Sequence, residues 1–328
     1  MSIKALVNSQ DWIPDLKKNP IARAALQLMH ARLPRHVKQE IRIAAAVGGV
    51  DHFDAIAANF AYEVALVAVS NHTLDKGDLM RVFSGTKATP IGCTTFVRIT
   101  AHERSEMPIN MQVEFARNLD WPDSDGSLKR YAEIRLCRPT NRKLSAYEVA
   151  TFPGYSGALT GFAPGRFAVA INAVMSDEPP KMGAAPTFLL RRALDECASF
   201  ESAVRLLAET PLVTSAAFTV VSAEPFGTPD DAVVIERTPT TYAVRRAEHL
   251  DGDTWLLAAT NNMRSISSKW DAVPVPGLSD TACERYDGVF RDVEAGLPIP
   301  TILANAEFGC TVYRAAAEVL DDPGLRMW

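Results

Sequence analysis

The pattern of apolar and polar positions changes character near residue 92. Before it, apolar residues recur at three- and four-residue intervals. Ile21, Ala24, Ala25, Leu28 and Leu33 predict a helix, with Asn19 as its cap and Pro20 in its first turn. A second helix is predicted from Pro34, with Val37, Ile41 and Ala45 on one face, ending at Gly48-Gly49. Asp51 is placed to cap a third, carrying Phe53, Ile56, Phe60, Val64 and Val67. Residues 1–18, with Trp12 and Pro14, read as an irregular lead-in. Residues 71–92 are polar and Gly-containing and read as a surface linker.

After residue 92 the pattern turns to strands. Alternation predicts Thr94–Thr100 and Ile109–Ala116 around a turn at His102–Ser105. Tyr131–Arg138 and Leu144–Phe152 form the next pair, and Ala158–Thr160 and Phe167–Ile171 flank the Pro164-Gly165 turn. Two helices follow, Pro186–Ser199 and Phe200–Glu209. Strands return at Ala216–Ser222, Ala232–Arg237, Tyr242–Arg246 and Thr254–Thr260. A helix at Ser279–Glu294 and a strand at Cys310–Ala316 end the series. This order predicts an α+β fold, two sheets sandwiched between helix layers, preceded by an N-terminal helical segment. The division falls at 1–92 and 93–328.

Composition narrows the function. With 328 residues, 47% of them hydrophobic, the chain can bury one large core or two modest ones. A net charge of −5 leaves no electrostatic footprint for nucleic acid. Residues 1–92 carry +3 and the remainder −8, a weak attraction between two parts that salt screens. Five cysteines, widely spaced and without Cys-x-x-Cys, argue against a disulfide framework and a cysteine zinc site. No Gly-x-Gly-x-x-Gly, phosphate loop or His/Glu metal spacing is present, so neither cofactor nor metal is expected. The first residues lack a secretory apolar core and no apolar run reaches membrane-spanning length. A soluble chain in a reducing, cytoplasmic setting is expected.

One stretch carries chemistry. Gly92-Cys93-Thr94-Thr95 places a small residue before a cysteine that opens a strand. A thiol is a strong nucleophile that needs a base. A free α-amine, with a pKa of roughly 8, supplies one if Cys93 becomes an N-terminus. Gly92 allows the strained geometry that an N-to-S acyl shift requires. Arg117 and Asp120, three apart in a strand-to-turn segment, offer one charge of each sign for thiolate and amine. Taken alone, Cys93 reads better as a small buried apolar residue at the start of a strand, and the charged pair as a solvated turn with a surface ion pair.

Four stretches together resemble one family. They are Gly92-Cys93-Thr94-Thr95, Arg117-Asn118-Leu119-Asp120-Trp121, Gly154–Gly165 and Thr260-Asn261-Asn262. In order and spacing they resemble the acid ceramidase and N-acylethanolamine acid amidase family, in the choloylglycine-hydrolase branch of the N-terminal-nucleophile hydrolases. The resemblance implies a four-layer αββα fold and self-cutting between Gly92 and Cys93. It implies Cys93 as nucleophile, with Asp120 accepting a hydrogen bond from its amine and Arg117 setting protonation states. Asn261 matches a catalytic oxyanion donor, with Asn262 close enough to be confused with it. Asn172 and Ala173 match the second, backbone donor; the family has Glu where Ala173 stands. Arg285 loosely matches a later family Arg. The animal members are lysosomal and carry signal peptides, unlike the setting expected here.

The expected activity is hydrolysis of linear amides of small N-acyl, lipid-like substrates through a thioester, with the N-terminal fragment retained as a partner and the helices before it walling an acyl groove. Oligomeric state is left open. Gly-Cys-Thr-Thr is also similar to the cut site of the fungal penicillin-forming acyltransferase, so an acyltransferase or β-lactam acylase is one alternative. An uncut, non-catalytic lipid binder is another.

Overall fold

A computed structural model of the chain describes residues 3–10, 12–70, 92–102, 110–121, 126–224, 228–268, 281–307, 311–320 and 322–328. Apart from Gly92, the expected linker at 71–92 lies outside these residues, as do most of the turn after His102 and residue Cys310.

The N-terminal segment is helical: α1 (Lys4–Asn8), α2 (Ile13–Lys18), α3 (Pro20–Ala31), α4 (Arg35–Gly48), α5 (His52–Asn59) and α6 (Ala61–Ser70). The predicted punctuation holds. Asn19 accepts from the Ile21 and Ala22 N–H groups, and Asp51 from those of Phe53 and Asp54. Gly49 ends α4 in the left-handed region at φ 62°. Three readings change. The lead-in contains α1 and α2, which are too short to show a helical period. The stripe chosen on α3 faces outward, with Ile21 80% exposed, while Leu26 is buried. Ala24 and Ala25 are too small to bias which side turns in. The third helix breaks at Phe60, which leaves helical geometry at φ −107°, next to Asn59, whose side chain reaches out of the helix. Its Nδ2 donates to the Ala55 and Gly154 carbonyls, and its Oδ1 accepts the Ser156 N–H.

The rest of the chain forms β1 (Gly92–His102), β2 (Asn110–Asp120), α7 (Ser127–Tyr131), β3 (Glu133–Cys137), β4 (Tyr147–Thr151), β5 (Thr160–Ala163) and β6 (Phe167–Asn172). Then come α8 (Pro186–Glu196), α9 (Phe200–Glu209), β7 (Ala216–Ser222), β8 (Ala232–Arg237), β9 (Tyr242–Arg246), β10 (Glu248–His249) and β11 (Thr254–Ala259). The chain closes with α10 (Ala282–Glu294), α11 (Ile299–Asn305), β12 (Thr311–Glu318) and β13 (Asp322–Met327). Alternation had missed α7, α11, β10 and β13. It had also ended β2 at Ala116 and placed β5 two to three residues early.

Among the described residues there are two sheets, antiparallel throughout. One runs β10-β11-β1-β2-β12-β13, the other β3 to β9 in sequence order. Period-2 alternation sorts the first sheet's residues onto two faces. Phe96, Ala116, Leu256 and Ala258 pack under Tyr286, Val289 and Val293 of α10 and Ile302 and Leu303 of α11. Val97, Phe115, Leu257 and Ala259 belong to the larger core facing the second sheet. Helices α8 and α9 cover the far side of that sheet. The layers are therefore helix, sheet, sheet, helix: a four-layer αββα sandwich. No helix among the described residues is long and apolar enough to cross a membrane.

The N-terminal segment is fastened to the sandwich by a carboxyl. Helix α8 begins at Ala185, which offers no side-chain cap. Glu63 of α6 caps it from outside: Oε1 accepts the Thr187 N–H at 3.0 Å and its hydroxyl at 2.7 Å. Oε2 is buried with no hydrogen-bond partner among the described residues. Burial pushes this carboxyl up from 4.5 to about 7, against the pull of the Thr187 hydrogen bonds.

A carboxyl with a raised folded-state pKa holds its proton more tightly in the fold than out of it. Its contribution to stability is full below about pH 4.5 and is lost as pH rises towards 7, a swing on the order of 3 kcal/mol. Urea unfolding of Cys93→Ala with and without Glu63→Gln tests this. The parent should lose stability relative to the Gln variant across that window. A difference flat with pH would show that Glu63 is not buried as an acid.

Candidate active site

Strands β1 and β2 form the middle of the first sheet, and their register positions the chemistry. Gly92 pairs with Asp120, Cys93 with Leu119 and Thr95 with Arg117. Because faces alternate, Cys93, Thr95 and Arg117 point between the sheets, while Gly92, Thr94 and Asp120 lie towards α10. Arg117 and Asp120 thus sit on a strand flanked by β1 and β12, not in a turn. Their opposite charges serve opposite faces.

On the inner face, Arg117 is fully buried. Its Nη2 donates to Cys93 Sγ at 3.3 Å, and its Nη1 to Thr160 Oγ1 at 3.0 Å and to the Leu159 carbonyl. Thr160 also meets the Tyr313 hydroxyl at 2.9 Å. Asn172, at the end of β6, crosses the gap between sheets. Its Nδ2 donates to the carbonyls of Cys93 (3.1 Å) and Ala259 (3.0 Å), and its Oδ1 accepts the Thr95 hydroxyl at 2.7 Å.

On the outer face stands Arg285 of α10, 5% exposed. Its Nη1 donates to the Cys93 carbonyl and the Thr94 hydroxyl, and its Nη2 to Asn261 Oδ1, each at 2.8 Å. A Cβ added at Gly92 would lie 3.3 Å from Asp120 Oδ2 and 3.4 Å from the Arg285 guanidinium. A side chain there would press on both, and the Asp120 carboxyl would have to give by a few tenths of an ångström. Asp120 Oδ1 accepts the Thr311 hydroxyl at 2.5 Å, and Oδ2 is buried with no hydrogen-bond partner among the described residues. Burial pushes this carboxyl up to about 6, although the Thr311 bond and the Arg285 charge pull the other way.

Asn261 joins the two faces. Its Oδ1 accepts the Cys93 N–H at 2.8 Å, and its Nδ2 donates to the Ala173 carbonyl at 2.8 Å. The oxygen is fixed in orientation because both of its partners, Cys93 N–H and Arg285, are obligate donors. Asn262 points elsewhere, accepting from Thr260 and donating to Cys283 Sγ. The structure therefore gathers Gly92, Cys93, Arg117, Asn172, Ala173, Asn261 and Arg285 in one place. Asp120 flanks Gly92, but the Cys93 N–H is taken by Asn261 and not by Asp120.

Sequence reading missed Tyr62, Thr160, Thr311 and Tyr313. Tyr62-Glu63 did leave a trace, as two polar side chains inside the otherwise apolar Ala61-Tyr62-Glu63-Val64-Ala65-Leu66. Thr311 and Tyr313 left none. They reach different groups through a register shift in β12 against β2. The cleft beside α4, lined by Ile43, Val47, Leu136, Pro153 and Arg191 among others, contains none of the site residues. Cys93 itself is 3% exposed. No group of His, Cys, Asp and Glu among the described residues is arranged to hold a metal.

No family model matches the chain. Individual proteins do. It is 27% identical over 205 residues to N-acylethanolamine-hydrolyzing acid amidase of Rattus norvegicus, covering 58% of this chain and 51% of that protein. The Mus musculus protein of the same name is 32% identical over 134 residues, covering 37% and 34%. Acid ceramidase of Bos taurus is 26% identical over 236 residues, covering 66% and 51%. The match spans about half the length of the rat and bovine proteins. Among solved structures, the Caenorhabditis elegans ortholog of N-acylethanolamine-hydrolyzing acid amidase aligns with a TM-score of 0.49 at 21% identity, over 70% of this chain and 94% of that one. The chain is thus similar in sequence to the acid ceramidase and N-acylethanolamine-hydrolyzing acid amidase family, the one its motifs resemble.

Proposed function

We propose that this chain is an N-terminal-nucleophile hydrolase of N-acyl amides, activated when it cuts itself between Gly92 and Cys93. The observation that carries the reading is the environment of Cys93. A buried cation contacts its sulfur, and an amide oxygen holds its N–H. A fully apolar pocket would suit a structural cysteine better; here two arginines and two asparagines converge on one residue.

The cutting step is intramolecular and needs no entry route to the buried thiol. Cys93 Sγ attacks the Gly92 carbonyl carbon, the Gly92–Cys93 C–N bond breaks, and the thiol proton passes to the departing nitrogen. Water then hydrolyses the thioester, giving a Gly92 carboxylate, a free thiol and a free α-amine. In turnover that amine takes the Sγ proton and sulfur attacks the substrate amide carbonyl. Arg117 faces charge on sulfur throughout. The Asn261 amide and the Ala173 N–H serve the tetrahedral oxyanion. The substrate amine leaves with a proton, and water releases the acid. Asp120, beside Gly92, receives one of the new N–H groups of the amine. Sequence likeness to an N-acylethanolamine amidase and a ceramidase supports a small substrate with an apolar acyl group.

Intact mass and N-terminal sequencing test the first step. Wild type should give pieces of about 10 and 26 kDa, the larger beginning at Cys93, from a 35.7 kDa chain. Cys93→Ala should stay whole. A wild type that stays whole at every pH while binding fatty acids would establish the lipid-binder alternative. A cut enzyme whose thioester prefers amine or thiol acceptors over water would establish the acyltransferase.

The neighbouring asparagines provide a second check. Asn261→Ala should lower kcat for a fatty-acyl aminocoumarin amide by roughly 10²–10³-fold, the cost of one oxyanion donor. Asn262→Ala should stay within a factor of about three, since a partly exposed hydrogen bond to a thiol is worth little. Equal losses in both would remove Asn261 from this role.

A further inference from the structure

The peptide unit between Asn172 and Ala173 is gripped from a direction the reaction does not explain. The Tyr62 hydroxyl, on helix α6 of the N-terminal segment, donates to the Asn172 carbonyl at 3.2 Å. That carbonyl and the Ala173 N–H are the two ends of one planar amide. A hydrogen bond accepted at the oxygen fixes the plane of the unit and draws electron density from its nitrogen, making the N–H a stronger donor. We propose that Tyr62 is a positioning residue that the N-terminal segment supplies to the oxyanion site, orienting and polarising the Ala173 N–H across its own peptide bond. The inference rests on the reading of Ala173 as an oxyanion donor.

Three further observations support it. Tyr62 is only 4% exposed, so the bond does not compete with water. Burial, then the nearby Cys93 and Glu63 charges, drives its phenol well above its ordinary range, so the hydroxyl stays a donor at any working pH. The next residue, Glu63, anchors the same helix turn to the start of α8, which fixes where the hydroxyl can reach. The groups on either side of the unit are already held: the Asn172 side-chain Nδ2 by two carbonyls, and the carbonyl of the following peptide, at Ala173, by Asn261. Tyr62 is the contact that comes from the far side of the cut. Cys93, Arg117, Asn172, Ala173, Asn261 and Arg285 all belong to the larger fragment. On this reading that fragment alone carries the reacting groups but not a fully set oxyanion site.

Tyr62→Phe in the full chain removes the hydroxyl and keeps the ring. Two probes separate a positioning role from a packing role. A fatty aldehyde adds to Cys93 as a hemithioacetal and places an oxyanion in the site. Iodoacetamide alkylates the same thiol by displacement at carbon and forms no oxyanion. The variant should still cut itself, should lose roughly tenfold in kcat for the acyl aminocoumarin amide with KM within about twofold, and should bind the aldehyde roughly tenfold more weakly, less than the full loss of a direct donor. Its alkylation rate should stay within about twofold of wild type, as displacement makes no demand on the oxyanion site. The ratio of aldehyde affinity to alkylation rate does not depend on how much of the variant folds. If kcat and aldehyde affinity match wild type, or if both probes weaken together, Tyr62 only packs and the inference is overturned while the hydrolase stands. If wild type neither cuts nor turns over the amide, the inference falls with the reading beneath it.

Discussion

A guanidinium buried between two sheets sets the terms for this end of the molecule. Charge in such a place is costly unless acceptors answer it; both Nη atoms of Arg117 are answered, while its Nε is buried with no hydrogen-bond partner among the described residues. Arg117 is answered by a carbonyl and a hydroxyl at the start of β5 and by the sulfur of Cys93 on β1. Those partners come from both sheets, so the sheets cannot slide at this end without stranding the cation. The β1–β2 register is fixed by the same demand. A one-residue slip would turn Arg117 to the outer face and leave the sulfur facing Asn118 or Asp120.

The outer face carries a second arginine to complement the first. Arg285 comes from a helix, reaches the carbonyl side of Cys93, and shares Asn261 with its N–H side. Cys93 is thereby held by its sulfur from within and by its backbone from without. Asp120 occupies the remaining space beside Gly92, in burial deep enough to favour its protonated form near pH 6 and below. This division also leaves the position before the cysteine in tight contact with two polar side chains, Asp120 and Arg285.

The helical N-terminal segment is more than a cover. Within five residues it sends Asn59 to the 154–156 turn, Tyr62 to the Asn172 carbonyl and Glu63 to the start of α8. Each partner belongs to the sandwich. The segment's buried polar contacts therefore reach the 154–156 turn, the end of β6 and the start of α8. Separating the segment from the sandwich would expose or orphan a buried polar group at each of these bonds.

Local sequence determined the local structure. Asn19 and Asp51 cap helices with their side chains and Gly49 ends one through its backbone, so α3 and α5 began, and α4 ended, where the sequence placed them. Strands β7, β8 and β9 were bounded correctly because short β-branched, apolar-rich runs between turn residues define a strand, buried throughout in β7 and β8 and alternating in β9. The motif residues were legible as candidates because glycine before cysteine, and an arginine–aspartate pair nearby, suggest chemistry by type. What they do to one another was not legible. Three residues apart means opposite faces on a strand and neighbouring faces on a turn, and only pairing with β1 and β12 decided that Arg117–Asp120 is strand. The choice between Asn261 and Asn262, the arrival of Arg285 from a helix, and Tyr62 reaching a carbonyl 110 residues away all depend on how layers stack. Such contacts are decided by burial across the whole fold, where a polar group must find whichever partner the packing brings within reach, and no run of neighbouring residues encodes that partner.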